Sequence, residues 1–276
     1  MMLCLFGRAG KGLAHHAPFA KACLPVTSVW SRAASCGGVC PEGALPASFG
    51  GVDYGVKGRE IDLGGANVYV TGDPSWKSSV IVMHDVFGAN GGSHKALCDG
   101  LAAGGHYVVM PDFFEGGSIE PYYKAKQVPE GKRWLKKFNW AHCSQILDYV
   151  HAHLRERGVE RTGSIGFCWG AWAVAKACQD PTKVQAGVWC HPSCQVGKEP
   201  YEGETEQELT DAVRSPTLIL PSPQEPDFYR NGELAKIMGR KRGHERHTVL
   251  FSRIRHMGWV VRAAGFLDAL GRIAAE

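Results

Sequence analysis

The run Gly163-Ser164-Ile165-Gly166-Phe167-Cys168-Trp169-Gly170-Ala171-Trp172 constrains this chain more than any other stretch. It reads as a short apolar strand that turns abruptly into a helix, with a cysteine at the turn and a glycine two positions to either side. So tight a turn strains the backbone at its apex, and glycine at 166 and 170 lets strand and helix approach without Cβ clashes. The side chain at 168 is therefore expected to be presented, not packed. The helix over 171–178 aims its N-terminal amides at Cys168, which favours a thiolate, and the Trp169 N–H is placed to stabilise an oxyanion. A buried cysteine in an apolar strand is otherwise a small hydrophobe, so the rest of the chain must supply the partners of a reactive site.

The remaining sequence alternates strands with helices. Residues 59–63 and 66–70 form a hairpin about Gly64-Gly65, expected as the antiparallel edge of a sheet. Residues 79–83 are a continuous apolar run, the mark of a strand buried on both faces of a parallel sheet. A loop from His84 to Asn90 follows, then a helix over 93–103 closed by Gly104-Gly105. Residues 106–112 make the next core strand. The stretch 113–138, with Pro121, Pro129 and Gly131, reads as an excursion over the sheet edge, where a substrate pocket would be covered. A helix over 140–157, the strand 163–167, and strands over 184–190, 217–220 and 247–251 complete the pattern. Helices are expected over 232–239 and 260–275, and residues 202–211 as a solvated acidic loop. Strands alternating with helices imply an α/β fold, a mostly parallel sheet covered by helices on both faces.

Residues 1–41 contain no Asp or Glu but carry Arg8, Lys11, Lys21 and Arg32. Basic and acid-poor, they have the composition of a transit peptide, or else form a disordered tail. The expected address is the mitochondrion, with plastid or cytoplasm as alternatives. The structured domain is expected over 42–276, since 276 residues with 44% hydrophobic content bury one substantial core. A net charge of +4 and the lack of a basic stripe exclude nucleic acid and leave a small molecule as the default partner. No segment is long enough to span a membrane. Ten cysteines without even spacing read as reduced thiols. Cys36 with Cys40, and Cys190 with Cys194, lack the two-plus-two spacing of a zinc site, so no metal is expected.

Parallel α/β sheets bind ligands at the carboxyl ends of their strands. Cys168, then Glu225 or Asp227, then His256 each fall just past such an end, in the order nucleophile, acid, histidine. A thiolate attacks a carbonyl, an imidazole takes and returns the proton, and a carboxylate orients the imidazole. His191 also follows a strand, near enough to the site to be a substrate contact, but reads first as a turn residue before Pro192. A redox-responsive thiol would need a resolving cysteine, for which Cys178 and Cys190 are poorly spaced.

With this set in place, the sequence resembles the dienelactone hydrolase family. The likeness rests on Val82-Met83-His84-Asp85-Val86-Phe87-Gly88, Tyr107-Val108-Val109-Met110-Pro111-Asp112, Gly166-Phe167-Cys168-Trp169-Gly170 and Gly258-Trp259-Val260-Val261-Arg262, and covers about residues 42–276. Cys40-Pro41-Glu42-Gly43 is similar to the lead-in of the eukaryotic branch. The resemblance implies an α/β-hydrolase fold and hydrolysis of a lactone or activated ester, such as a carboxymethylenebutenolide, through a thioester, with no metal and no organic cofactor. It implies Cys168 as nucleophile, and oxyanion-hole amides from Val86 and Trp169. It implies Asp85 as the group holding the resting thiol protonated, and Arg262 as a grip on a substrate carboxylate. Counting from Pro216, the acid falls at Glu225, with Asp227 in reserve. Met257 stands in the family's histidine position and His256 one residue earlier, which a one-residue bulge would accommodate. Gly116 stands about where the family has a second arginine. The alternative is a catalytically silent relative that binds a small molecule or partner. The expected assembly is a monomer or weak homodimer.

Overall fold

The structure is a computed structural model that describes residues 55–221 and 225–239. The segment 1–41, the strand and helix expected over 247–251 and 260–275, and with them His256 and Arg262, lie outside the described residues.

The hairpin forms as β1 (Arg59–Leu63) and β2 (Ala66–Thr71), with Leu63 opposite Ala66. Gly64 and Gly65 turn it at φ 65° and 89°, angles that a Cβ opposes. The core strands are β3 (Ser78–Met83), β4 (Tyr107–Pro111), β5 (Arg161–Phe167), β6 (Ala186–Cys190) and β7 (Thr217–Leu220). Among the described residues they lie with the hairpin in one sheet of seven strands, in the order β1-β2-β4-β3-β5-β6-β7. β2 pairs antiparallel to β4, and β4, β3, β5, β6 and β7 run parallel. The expected sheet, mostly parallel with an antiparallel N-terminal edge, is the one observed.

Continuous apolar strands follow from covering both faces. Alternate residues point to opposite sides, so Val80, Val82, Val108, Met110, Ile165, Val188 and Leu218 build one core with Cys98 and Leu101 of α1 (His94–Ala103). Ile81, Met83, Val109, Trp189 and Ile219 build the other, with Ile146, Leu147 and Val150 of α4 (Trp140–Glu156) and Ala171, Trp172 and Val174 of α5 (Trp169–Ala177). On α4 the buried positions Cys143, Ile146, Leu147, Val150 and Leu154 follow helical spacing, and Asn139 caps it by accepting the His142 N–H at 3.2 Å.

Two expectations need correction. The stretch after β4 is more regular than expected, holding α2 (Glu120–Lys124) and α3 (Val128–Leu135). Its prolines begin these helices instead of breaking them, because the first helical turn has no use for the N–H that proline lacks. The acidic stretch is likewise partly helical, as α6 (Glu206–Ala212). Thr205 Oγ1 accepts the Glu208 N–H at 3.2 Å while the Glu208 carboxylate accepts the Thr205 N–H at 2.8 Å, a reciprocal cap that satisfies two free donors. Beyond β7, α7 (Asp227–Arg230) and α8 (Glu233–Gly239) close the described region.

Candidate active site

Between β5 and α5 the chain passes through Cys168 at φ 53° and ψ −112°. A left-handed φ is costly for a residue with a Cβ, and such strain collects at functional sites. The flanking glycines make the turn possible. A Cβ at Gly166 would stand 2.2 Å from the Gly170 carbonyl oxygen, and one at Gly170 would stand 2.2 Å from that of Met83. The Cys168 backbone is anchored throughout: its N–H donates to Cys190 O at 3.1 Å, and its carbonyl accepts from Ala171 and Ser193, both at 3.1 Å. The thiol is only 2% exposed. It is therefore packed, against the expectation of a presented side chain, and its Sγ lies 3.2 Å from Ser193 Oγ.

Register brings His191 to this thiol. Phe167 pairs with Cys190 across β5 and β6, so the next residues, Cys168 and His191, leave adjacent strand ends together. The His191 N–H donates to Leu220 O at 2.9 Å, and its backbone also takes a positive φ, 38°. Its imidazole is hydrogen-bonded to Cys168. Burial pushes the imidazole toward neutrality. The thiol hydrogen bond, the thiolate charge, and the carboxylates of Glu225 and Asp85 outweigh it, leaving His191 above the usual histidine value. Sequence reasoning placed this residue near the site but preferred a turn role for it, and did not foresee its contact with Cys168.

Glu225 and Asp227 separate clearly. Glu225 is 3% exposed, and its charge acts on His191. Asp227 begins α7, has a side chain 80% exposed, and pairs with Arg230.

The loop after β3 is pinned at both ends of its turn. His84 is fully buried, and its Nε2 accepts the Phe113 N–H at 3.1 Å, so Nδ1 carries the proton and donates to the Asp85 carbonyl at 2.8 Å. Burial drives this imidazole down to about 3, hence it is neutral. Because the Asp85–Val86 peptide is planar and trans, holding its carbonyl toward His84 turns the Val86 N–H the opposite way. Val86 O accepts from Ile119 at 3.0 Å. The Asp85 carboxylate accepts the Phe87 N–H at 2.8 Å through one oxygen and faces His94 Nε2 at 3.8 Å through the other. The His84 ring also stacks on Trp169, centroids 5.7 Å apart and planes at 18°, which ties this loop to the first residue of α5. The Trp169 indole N–H donates to Tyr201 Oη at 2.7 Å.

A cleft of about 350 Å³ opens at the same strand ends, lined by Phe87, Ala89 and Gly91 after β3 and by Asp112, Gly116 and Glu120 after β4. Cys168 does not line it. Among the described residues no cluster of three or more His, Cys, Asp or Glu side chains could hold a metal ion. Cys190 and Cys194 are buried free thiols, as is Cys178, which burial pushes up to about 12. Thiols this reluctant to ionise make poor resolving partners.

The profile of the dienelactone hydrolase family matches residues 66–251. The chain is 32% identical over 171 residues to a carboxymethylenebutenolidase homolog of Rattus norvegicus, and 29% identical over 171 residues to that of Homo sapiens. Each match covers 61% of this chain and 65% of the relative, just under two thirds of its length. Among solved structures it is similar to a candidate dienelactone hydrolase of Klebsiella pneumoniae, with a TM-score of 0.53 at 18% identity, covering 79% of this chain and 96% of that one. It is also similar to the acylaminoacyl peptidase of Pyrococcus horikoshii, with a TM-score of 0.55 at 17% identity, covering 78% of this chain and 40% of that one. These likenesses are of fold, the α/β-hydrolase fold. The family profile runs from β2 past β7 and takes in both the cysteine turn and the loop after β3: the chain belongs to the dienelactone hydrolase family.

Proposed function

We propose that this chain is a hydrolase that opens a lactone or cleaves an activated carboxylic ester through a thioester on Cys168. The observation that supports this best is the cysteine itself, strained at a positive φ between β5 and a buried helix, with an imidazole hydrogen-bonded to it and the buried Glu225 carboxylate acting on that imidazole. In the proposed reaction the thiolate attacks the carbonyl carbon and the oxyanion is met by the backbone N–H groups of Val86 and Trp169. The imidazole takes the thiol proton before attack and gives it to the alkoxide as collapse expels it, and water then cleaves the thioester to release acid and restore the thiol. An ester suits a thiolate better than an amide, because its leaving group needs less help from an acid. Glu225 is the proposed acid. By family resemblance His256 is the proposed proton carrier for the water step and Arg262 a substrate contact. Gly116 stands where the family has a second arginine, so the preference for an acyl group bearing a carboxylate is weakened and rests on Arg262. The segment 1–41 is proposed to direct the domain over 42–276 to the mitochondrion; a reporter fused to it should enter that organelle, and diffuse cytosolic signal would refute this.

The function is tested with the purified chain on a panel of p-nitrophenyl esters and simple enol-lactones, with and without a thiol alkylator. Turnover abolished by the alkylator and by Cys168→Ser is the expected result. Absence of turnover across the panel would favour a silent, ligand-binding member of the family.

A further inference from the structure

The amino ends of the parallel strands, away from Cys168, carry a second concavity. It measures about 160 Å³ and is lined by Lys57, Arg59, Thr71, Gly72, Pro74 and Tyr107. Tyr107 of β4 and Thr162 of β5 both stand level with Ser79 of β3, so Cys168 lies about 20 Å further along the sheet.

Cations gather at this pocket without carboxylates to neutralise them. Arg59 pairs with Val70 in the sheet, and Val70 belongs to the core that α4 covers. Arg157, the residue that ends α4, reaches over the Tyr107 ring, its guanidinium carbon 5.3 Å from the centroid. The Arg157 Nε–H donates to His153 Nε2 at 2.9 Å, which orients the group. Among the described residues no carboxylate pairs with Lys57, Arg59 or Arg157. Nearby acids are engaged elsewhere: Glu60 with Lys95 at 2.7 Å, Asp73 with the Ser75 N–H at 2.8 Å, and Asp99 with the Tyr69 hydroxyl at 2.8 Å. The charges of Arg157 and Arg59 reach both Tyr107 and His153, and at His153 the Glu156 carboxylate opposes them. Arg157 also faces the carboxyl end of α4, which takes up part of its charge, so Lys57 and Arg59 carry the larger share.

The wall that presents Lys57 is held from beneath. The Lys57 main-chain N–H donates to Asp99 Oδ2 at 2.9 Å and the Gly58 N–H to Tyr69 Oη at 2.8 Å, and Asp99 and Tyr69 are both buried. A pocket fixed in this way is formed before anything enters it, which lowers the cost of binding.

We propose that this pocket binds a phosphate group, free or at the end of a small phosphorylated molecule. Guanidinium forks match phosphate oxygens in pairs, and several unneutralised cations attract a dianion more strongly than a monocarboxylate. The site is separate from the Cys168 turn and goes beyond the hydrolase reading.

Calorimetric titration of the full chain at fixed ionic strength tests this, at about pH 8, where phosphate carries close to two charges. Inorganic phosphate, glycerol 3-phosphate and acetate are added in separate runs. Saturable binding of a phosphate compound, and none of acetate at the same concentrations, is the expected result. Tighter binding of glycerol 3-phosphate would identify a phosphorylated molecule as the occupant, and tighter binding of inorganic phosphate the free ion. Lys57 and Arg59 are exposed, so Lys57→Gln and Arg59→Gln should keep the fold and each raise Kd about tenfold or more, the loss of one hydrogen bond to a charged group. Arg133→Gln, on α3 where Arg133 pairs with Glu130, should leave Kd unchanged. Absence of saturable binding, acetate bound as well as phosphate, or parent-like Kd in both Lys57→Gln and Arg59→Gln overturns the inference. No readout depends on turnover, so the hydrolase reading stands or falls separately.

Discussion

A cysteine held at φ 53° carries strain of order 1–3 kcal/mol that a serine in its place would share, so Cys168→Ser removes the sulfur and keeps the turn. Turnover should fall about 10³-fold or more with the melting temperature unchanged; a small loss of activity would put the nucleophile elsewhere. The two carboxylates should separate in the same assay. Glu225→Gln should lower kcat by about 10-fold or more, while Asp227→Asn, on an exposed side chain, should fall within about twofold of the parent. The reverse order would reassign the acid. At this scale the sequence was informative where chemistry and local turn coincide. Cys168 announces itself through its two glycines, and Glu225 through its distance past a strand. His191 could not be recognised in this way. Its neighbours, a strand end and a proline, describe a turn, and its contact with Cys168 arises from the pairing of β5 with β6, which no local pattern encodes. His84 was hidden for the same reason: its partner at Phe113 comes from a different strand end.

Among the elements, the β5–α5 junction has the least tolerance. Alanine at Gly166 or Gly170 would set a methyl 2.2 Å from backbone oxygen, which backbone alone must relieve, so each should cost about 3 kcal/mol or more or abolish soluble protein. Denaturant melts of the two variants decide this, and near-parent stability would mean the turn is looser than described. By contrast Thr205→Ala removes only the reciprocal cap of α6 and should cost about 1 kcal/mol. Strands were legible because their apolar runs are bounded by turn residues. The helices α2, α3 and α6 were not, because each is a few turns or less and its signal is a proline or a cap, not a periodic face.

At the scale of the whole molecule, two buried neutral imidazoles among the described residues lower stability in acid. His84 is driven down to about 3 by burial, and His151 down to about 4 by burial and the neighbouring Lys183 charge. Between the ordinary histidine value of about 6.5 and these values, the unfolded chain binds protons that the folded chain refuses. Stability is therefore full above that window and falls as pH drops through it, by up to about 1.4 kcal/mol per pH unit for each group. Thermal melts from neutral to acidic pH should show the decline, and a flat profile would mean both rings are reached by water. Hydrogen exchange should be slowest in β3, which is paired on both sides by β4 and β5, and fastest in the edge strand β1.

The helix that follows Cys168 is covered along all of its length but one position: Trp169, Gly170, Ala171, Trp172, Ala173, Val174, Ala175 and Ala177 are buried, and only Lys176 is partly exposed. A reactive group mounted there has no loose support that could fail ahead of the core. Heating should therefore leave the Cys168 turn intact until the fold itself gives way, so that exposure of the thiol to an alkylator and the loss of structure trace a single curve.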